Sequence, residues 1–349
     1  MRNLMLYILL ALPLLYGCQR MDLYERSTTV NINFNLDIDI DVELDMEIET
    51  ELEKEYLAKV QGVKPEYMEV LFYNTINGRV SASFVLPAEG GQVNIAPGDY
   101  HIVAYNFGTE STQVERLEKM DEAKAYTTDI TKIMQGAFHT EIKNNKENNE
   151  SSEEGAPATT TKGYEDDPII YEPDHLYVAN ENNINIPDVS SPEEEVSMTA
   201  RASTILDVYS LEVLGVTGCE NVEKVEAFIT GQIRHNYFGI EKRGDSPATL
   251  YVDLSVDAEN GRFYTVFGTF GKLPGATNDV YLDVTIIDTG GGRHRYIYDI
   301  TEQFDDPENK HKKLIIIDDI NIPKGSEGGG GLSPSVGKWD NEEIDIPLS

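Results

Sequence analysis

Apolar and polar residues alternate without a break along residues 30–49, VNINFNLDIDIDVELDMEIE. Successive side chains of an extended chain point to opposite faces, so this period of two predicts a β-strand. The odd positions from Asp37 to Glu55 are all acidic, and one face of the strand therefore carries carboxylates. Twenty extended residues would span roughly 65 Å. We therefore predict a paired strand near 30–39 and a continuation that bends, frays or pairs elsewhere.

The apolar face of this strip is the first candidate for an interaction surface. The candidate residues are Val30, Ile32, Phe34, Leu36, Ile38, Ile40 and Val42. A calcium site is the competing interpretation, because Asp37, Asp39 and Asp41 occupy the first three ligand positions of an EF-hand loop. That loop requires Gly at position six and Glu at position twelve, where this chain has Val42 and Ile48. A solvated acidic face is favoured, and loose calcium binding stays open.

The period changes after the strip, in the segment TELEKEYLAKVQG at 50–62. Its apolar residues recur at helical spacing. They are Leu52, Tyr56, Leu57 and Val60. Thr50 and Glu53 have the spacing of a capping box, and Gly62 could end the helix. We predict one short helix after the first strand region.

The rest of the chain reads mainly as strands. Asn77-Gly78 between two β-rich runs predicts a hairpin. Residues 100–107 are apolar or aromatic on both faces, which predicts a central strand of a sandwich. The charged segment 111–130 could hold a short helix. Seven short strands follow from Val196 at a spacing typical of one β-sandwich.

These patterns predict an all-β protein with two tandem β-sandwich domains. Residues 143–163 lack large apolar side chains and predict a polar loop or linker. The expected organisation is a signal peptide at 1–17, a tether at 18–29, an N-terminal sandwich at 30–142, a polar linker region at 143–195, a C-terminal sandwich at 196–323, and a Gly-rich segment with a terminal strand at 324–349.

The N-terminal sequence MRNLMLYILLALPLLYGC predicts that the protein is anchored to a membrane. Arg2 precedes an apolar region, Leu4–Leu15, that is too short to span a bilayer. Leu15-Tyr16-Gly17-Cys18 resembles the lipobox of bacterial lipoproteins, in which the cysteine is lipidated. A Sec signal with a chance cysteine is the alternative. If Cys18 is lipidated, Cys219 has no intramolecular disulfide partner and is expected to be a packed residue.

The net charge of the chain limits the classes of partner that it is expected to bind. The chain has 349 residues and a formal net charge of −34, which disfavours nucleic acid and anionic membrane surfaces as electrostatic partners. The sequence contains no nucleotide-binding, zinc or serine-hydrolase motif. We therefore predict neither an enzyme nor a cofactor. His294 between Arg293 and Arg295 could form a basic patch for an acidic partner, or a solvated hairpin end.

Several segments together resemble a known family. They are CQRMDLYER at 18–26, VNIAPGDYHIVAYNFGTES at 93–111, GRFYTVFGTFGKLPG at 261–275, IIIDDINIP at 315–323 and KWDNEEIDIPL at 338–348. Their order resembles Bacteroides-type lipoproteins of unknown function that are distantly related to fimbrilins and fimbrial anchor subunits. The acidic strip is not a feature of that family.

The resemblance implies transthyretin-like sandwiches, lipidation at Cys18 and attachment to the outer membrane facing the surface. It implies an anchor, assembly or accessory component of fimbriae, or an adhesin, with fimbrial subunits or surface proteins as partners. The expected mechanism is strand-edge pairing. The alternative is a glycan-binding surface lipoprotein of a nutrient-uptake system, with Trp339 or some of the 19 tyrosines as aromatic platforms.

Overall fold

Strands dominate the architecture, as predicted, and they form four sheets. The computed structural model describes residues 27–37, 50–130, 167–188, 196–275, 279–309 and 312–324. These ranges do not include the expected signal peptide at 1–17 or residues 325–349 of the expected Gly-rich segment and terminal strand. They also leave out the candidate residues Cys18, Ile38, Asp39, Ile40, Asp41, Val42 and Trp339. The all-β fold with a short helix after the first strand is confirmed.

The N-terminal unit is built on one seven-stranded sheet with the order β3-β2-β5-β9-β10-β1-β4. Its strands are β1 (Thr28–Asp37), β2 (Tyr67–Asn74), β3 (Val80–Pro87), β4 (Gly90–Ile95), β5 (Gly98–Asn106), β9 (Tyr177–Ile186) and β10 (Val196–Thr204). The predicted hairpin at Asn77-Gly78 joins β2 to β3. Strand β5 lies between β2 and β9, so the predicted central strand is confirmed.

This sheet folds over on itself. Buried residues from one face of all seven strands form a single core, which includes Val30, Phe72, Leu86 and Val93. Strands are spaced about 4.8 Å apart, so a flat sheet would separate its edge strands by roughly 29 Å. Because β3 and β4 are joined by a two-residue turn, the edges meet and the sheet becomes a sandwich around this core.

The C-terminal unit is a sandwich of two sheets, with orders β16-β17-β11-β20 and β19-β18-β12-β15-β8. Their strands are β8 (Ile169–Ile170), β11 (Asp207–Thr217), β12 (Val222–Ile233), β15 (Pro247–Asp253), β16 (Ser255–Asp257), β17 (Arg262–Thr269), β18 (Tyr281–Asp288), β19 (Arg293–Asp299) and β20 (Lys313–Asn321). Side chains from both sheets, such as Phe263, Leu250, Val284 and Leu314, form one core. Cys219 is buried at its edge, as expected, and burial raises the pKa of its thiol.

A fourth, small sheet covers the outer face of β2, β5 and β9. Its order is β14-β13-β7-β6. The strands are β6 (Thr112–Glu115), β7 (Lys124–Thr127), β13 (His235–Tyr237) and β14 (Lys242–Arg243). The charged segment 111–130 therefore contains a β-hairpin rather than the helix considered from its composition. Tyr105 and Phe238 meet in the core beneath it, with ring centroids 5.3 Å apart.

The sheets do not follow the domain boundaries expected from sequence. The expected linker region, 143–195, contains β8 and β9, and β8 pairs with β15 of the C-terminal sandwich. Strand β10 belongs to the first sheet, because it pairs in parallel with β1 over Val30–Asp37. Apart from β8, the strands of the C-terminal sandwich therefore begin at β11. Long-range pairing decides these assignments, and the local pattern of β10 contains no information about its partner.

Helix α1 (Glu51–Gln61) connects the two units. Its capping box is formed by Thr50 and Glu53, as predicted, and Gly62 ends it with φ of 60°. Leu52 and Tyr56 pack against the outer face of β11 and β17. A second, short helix, α2 (Thr301–Asp305), precedes β20. Within the described ranges there are also two 3₁₀ turns, at Cys219–Asn221 and Phe238–Ile240.

Candidate functional site

The predicted interaction strand is inside a sheet over its described part. Strand β1 pairs with β10 on one side and with β4 on the other. Val30 and Ile32 are buried in the sheet core, and Phe34 and Leu36 pack partly buried against it. The apolar face is therefore covered by the chain itself. Pairing with β4 ends at Asn33, so the main chain of residues 34–37 pairs with β10 alone among the strands that the structure describes.

A second strand edge is more open. Strand β20 is the last strand of its sheet and pairs only with β11 among the described residues. Its inward side chains include Leu314 and Ile320. Its outward side chains include Ile315 and Ile317, and Ile317 is 81% exposed. Exposed apolar edge strands are templates for strand addition. Side chains of Gln303 and Asn309 occupy the first part of this edge.

A cleft of about 780 Å³ lies between the N-terminal and C-terminal units. One wall is formed by residues 63–67 and 106–111, which follow α1 and β5. The other wall is formed by residues 171–175 and by Tyr251 and Asp253 at the end of β15. Clefts of this size between domains are common binding sites.

The floor of the cleft is held by side chains that tie α1 to the segment before β9. The Tyr177 hydroxyl donates to the carbonyl oxygen of Gln61 at 2.6 Å. The His175 imidazole Nε2 donates to the carbonyl oxygen of Lys59, and its ring stacks on Tyr177 with centroids 5.9 Å apart. Burial lowers the pKa of His175, which therefore stays neutral at pH 7. This network makes the floor rigid.

Two carboxylates in the cleft are committed to structural partners. Glu172 pairs with Lys59 and accepts a hydrogen bond from the Gly268 amide at 2.7 Å. Burial raises the pKa of Glu172, although Lys59 counteracts this effect. Asp174 accepts hydrogen bonds from the amides of Ser111 and Thr112. Both carboxylates therefore shape the cleft rather than standing as free reactive groups.

Aromatic side chains line both walls. Tyr67 and Phe107 are 48% and 44% exposed, and their ring centroids lie 6.4 Å apart with planes inclined by 26°. Tyr171 and Tyr251 face the cleft from the opposite side in an edge-to-face pair with centroids 6.4 Å apart. The sequence did not single out these four rings. Their only local signal was a position at or near a strand end. Because the cleft walls come from four separate segments, that signal did not show that the rings lie together.

The basic patch considered around His294 is neutralised by acids. Arg295 binds the buried carboxylate of Asp283, and His294 Nε2 lies 2.9 Å from Asp288. The hydrogen bond with His294 is the largest of the effects that lower the pKa of Asp288. Arg293 lies 3.6 Å from Glu226. This hairpin end is therefore a set of ion pairs and offers little free positive charge.

The other sequence candidates are only partly visible. Asp37 ends β1, whereas Asp39 and Asp41 are outside the described ranges. Within those ranges, no three His, Cys, Asp or Glu side chains come together in a group that could hold a metal ion. The described helices are all too short or too polar to cross a bilayer.

Comparison with protein families gives one match. A family model described as a domain of unknown function, DUF5119, matches residues 57–253. This range covers more than half of the chain. It contains most of the first sheet, the small sheet, the cleft walls and the first strands of the C-terminal sandwich.

Proteins similar to this chain include examples from Bacteroides and Porphyromonas. A candidate fimbrium anchoring subunit of Bacteroides ovatus, Fim4B, is 22% identical over an alignment of 323 residues, which covers 82% of this chain and 86% of that protein. The crystal structure of a candidate adhesin from Bacteroides ovatus superposes with a TM-score of 0.57 at 20% identity, covering 89% of this chain and 99% of that one. The fimbrial anchor protein Mfa2 of Porphyromonas gingivalis gives a TM-score of 0.46 at 11% identity, with 83% and 90% covered.

Proposed function

The chain belongs to the DUF5119 family, and we propose that it is a cell-envelope protein that serves as an anchor, assembly or accessory component of fimbriae, or as an adhesin. The observation that carries the proposal is the alignment with the candidate fimbrium anchoring subunit, which spans most of both chains. A likeness along nearly the whole length favours a shared role over the sharing of one module.

The anchor itself would be a lipid on Cys18. An apolar segment too short to span the membrane precedes this cysteine, and a polar stretch follows it. Two or more acyl chains hold a protein on a membrane by hydrophobic burial alone. We place the protein on the outer membrane, facing the surface, with the residues from Cys18 up to the start of β1 at Thr28 as the tether.

Contact with other subunits would use strand edges. The first half of the acidic strip is already paired within the sheet as β1, so the part available to a partner is its continuation through Ile38, Ile40 and Val42. The outer edge of β20 supplies a second contact, because its exposed Ile317 stands beside main chain that borders no other described strand. In both cases main-chain hydrogen bonds would give affinity and alternating side chains would give register.

The anchor is tested by Cys18→Ala in the source bacterium, with Cys219→Ala as the matched control. An alkyne fatty acid should label the natural protein and the Cys219→Ala variant but not Cys18→Ala. Fimbriae should remain with the cells in the first two strains and appear in the medium in the third. Fimbriae that stay attached to cells of the Cys18→Ala strain would refute the anchoring role.

The contact surface is tested by co-purification of fimbrial subunits. We compare a triple variant, Ile38→Asp with Ile40→Asp and Val42→Asp, with a variant Ile317→Asp. Exposed Val256→Asp on the short strand β16 serves as the control. Loss of subunits with the triple variant assigns the contact to the strip, and loss with Ile317→Asp assigns it to β20. Retention in both variants would exclude strand-edge pairing at these two places.

A further inference from the structure

The cleft between the two units has the features of a sugar-binding site, and fimbrial anchoring gives it no role. Its mouth is formed by Tyr67, the first residue of β2, and Phe107, which directly follows β5, and both expose almost half of their surface. Their ring centroids lie 6.4 Å apart with planes inclined by 26°, so the two rings are neighbours, and each keeps nearly half of its surface accessible. Two neighbouring, half-exposed rings provide apolar surface on which a ligand can stack.

The opposite wall also carries aromatic rings, those of Tyr171 and Tyr251, with polar groups beside them. Tyr251 is turned edge-on to Tyr171, and its hydroxyl donates to Asp253 at 2.7 Å. A ligand in the cleft would therefore meet rings on both sides and carboxylates at their margins. Pyranose sugars match this arrangement, because one face of the ring presents C–H groups while hydroxyl groups stand around its edge.

The charges of the cleft define which sugars fit. Five carboxylates and two lysines line it, and both lysines are already paired, Lys59 with Glu172 and Lys64 with Glu89. Sialic and uronic acids would meet net negative charge, and like charges repel across such short distances. Hydroxyl groups of neutral sugars donate hydrogen bonds to carboxylates such as Glu66 and Glu110, which face solvent at the rim.

We propose that this cleft binds a neutral oligosaccharide, with Tyr67 and Phe107 as the stacking platform. The cleft, about 780 Å³, lies within the range of about 300–1,000 Å³ that is usual for small-molecule sites. A cationic peptide is the competing occupant of an acidic cleft. It is disfavoured because Glu172 and Asp174 are bound by internal partners and because two half-exposed aromatic rings, Tyr67 and Phe107, stand at the mouth.

The test uses the mature chain on an array of plant, fungal and mucin glycans that contains neutral and acidic members. The strongest neutral hit is then measured by titration calorimetry. Tyr67→Ala and Phe107→Ala should each weaken binding about tenfold, whereas Tyr67→Phe and Phe107→Tyr, which keep the rings, should change it less than about twofold. Ile76→Ala removes exposed apolar surface outside the cleft and should leave binding unchanged.

Three results would overturn the proposal. One is the absence of any neutral glycan bound above the level of the Tyr67→Ala, Phe107→Ala double variant. Another is neutral glycan binding that the double variant retains. The third is binding of hexalysine that depends on Glu66 and Glu110 and persists without the rings. Retention of fimbriae by cells carrying the double variant is measured in parallel, so that failure of the sugar site is distinguished from failure of the anchoring role.

Discussion

The side-chain amide of Gln303 pairs with both main-chain groups of Ile315. Its Oε1 accepts from the Ile315 amide at 2.7 Å, and its Nε2 donates to the Ile315 carbonyl oxygen at 3.0 Å. Asn309 binds both main-chain groups of Lys313 in the same manner, each at 2.8 Å. Two amide side chains therefore imitate a neighbouring strand and block the first half of the β20 edge.

Removing these two side chains should open the edge. We expect the double variant Gln303→Ala, Asn309→Ala to self-associate at micromolar concentrations, because strands with free main-chain groups pair with one another. Sedimentation velocity measures the dimer fraction. Gln113→Ala, which changes an exposed glutamine on β6, is the control and should stay monomeric to the same extent as the unaltered chain. A double variant with no additional association would show that the amides do not protect the edge.

Gly90 should tolerate no side chain. It has φ of 109°, and an added Cβ would lie 2.0 Å from the carbonyl oxygen of Ile32 on β1. Gly90→Ala must therefore displace the β1–β4 pairing, and we expect it to lower the free energy of unfolding by about 2–4 kcal/mol in urea titrations.

Gly108 is the matched control for this substitution. Its φ is 83°, but open space surrounds the position of an added Cβ. Gly108→Ala should therefore cost only the backbone strain of a left-handed residue, about 1–2 kcal/mol. Equal losses in the two variants would contradict the steric explanation.

The buried ion pair of Asp283 and Arg295 should be intolerant of partial removal. Asp283 has no exposed surface, and it receives hydrogen bonds from Arg295 Nε at 2.9 and 3.1 Å. Asp283→Ala leaves a guanidinium without its buried carboxylate and should cost about 3–5 kcal/mol. Urea unfolding followed by the circular dichroism of the backbone measures the change in the free energy of unfolding.

Two controls distinguish burial from charge. Arg293→Ala removes a half-exposed arginine from the same strand and should change stability by less than about 1 kcal/mol. The double variant Asp283→Leu, Arg295→Met removes both charges together and should recover much of the loss. A double variant less stable than Asp283→Ala would refute the explanation that Asp283→Ala loses stability because Arg295 is left without its buried carboxylate.

His175 should make stability sensitive to acid. Burial lowers its pKa in the folded protein, whereas the unfolded chain has the ordinary value of about 6.5. Below that value the unfolded state binds a proton that the folded state does not, so stability falls as the pH decreases through about 6.5 toward the folded pKa. Lys59 and Asp174 face the ring with opposite effects on this pKa.

The measurement is urea unfolding of the unaltered chain and of His175→Gln between pH 7.5 and pH 5. Because the glutamine does not titrate, the variant should lose less stability over this interval. Other titrating groups are shared by the two proteins and cancel in the comparison. Parallel dependences on pH would show that the histidine is not responsible.

Some features of the fold could be derived from neighbouring residues alone. Thr50 and Glu53 contact one another across one turn, so their spacing was enough to predict the start of α1. Asn77-Gly78 allowed the hairpin, because only a few residue types adopt the backbone of that turn. The apolar faces of β5 showed that it is covered on both sides. In each case the determining interaction is local or needs only the periodicity of one strand.

Other features could not be derived in this way. Three of them bring together segments that are distant in the sequence. Val30 pairs with Val196, β7 pairs with β13 in the small sheet, and Tyr67 lies beside Phe107. Alternation along a strand determines which face is buried but not which strand lies beside it.

The sequence by itself therefore determined that this protein is built of strands, where its helix begins, and which cysteine could carry an anchor. Only the tertiary structure decided that the first part of the strip, Val30–Asp37, is an inner strand, that β10 joins the first sheet, and that four rings meet in one cleft. The reason is physical: hydrogen-bond partners and shared cavities depend on chain closure over long distances, and every strand offers the same main-chain groups to any neighbour.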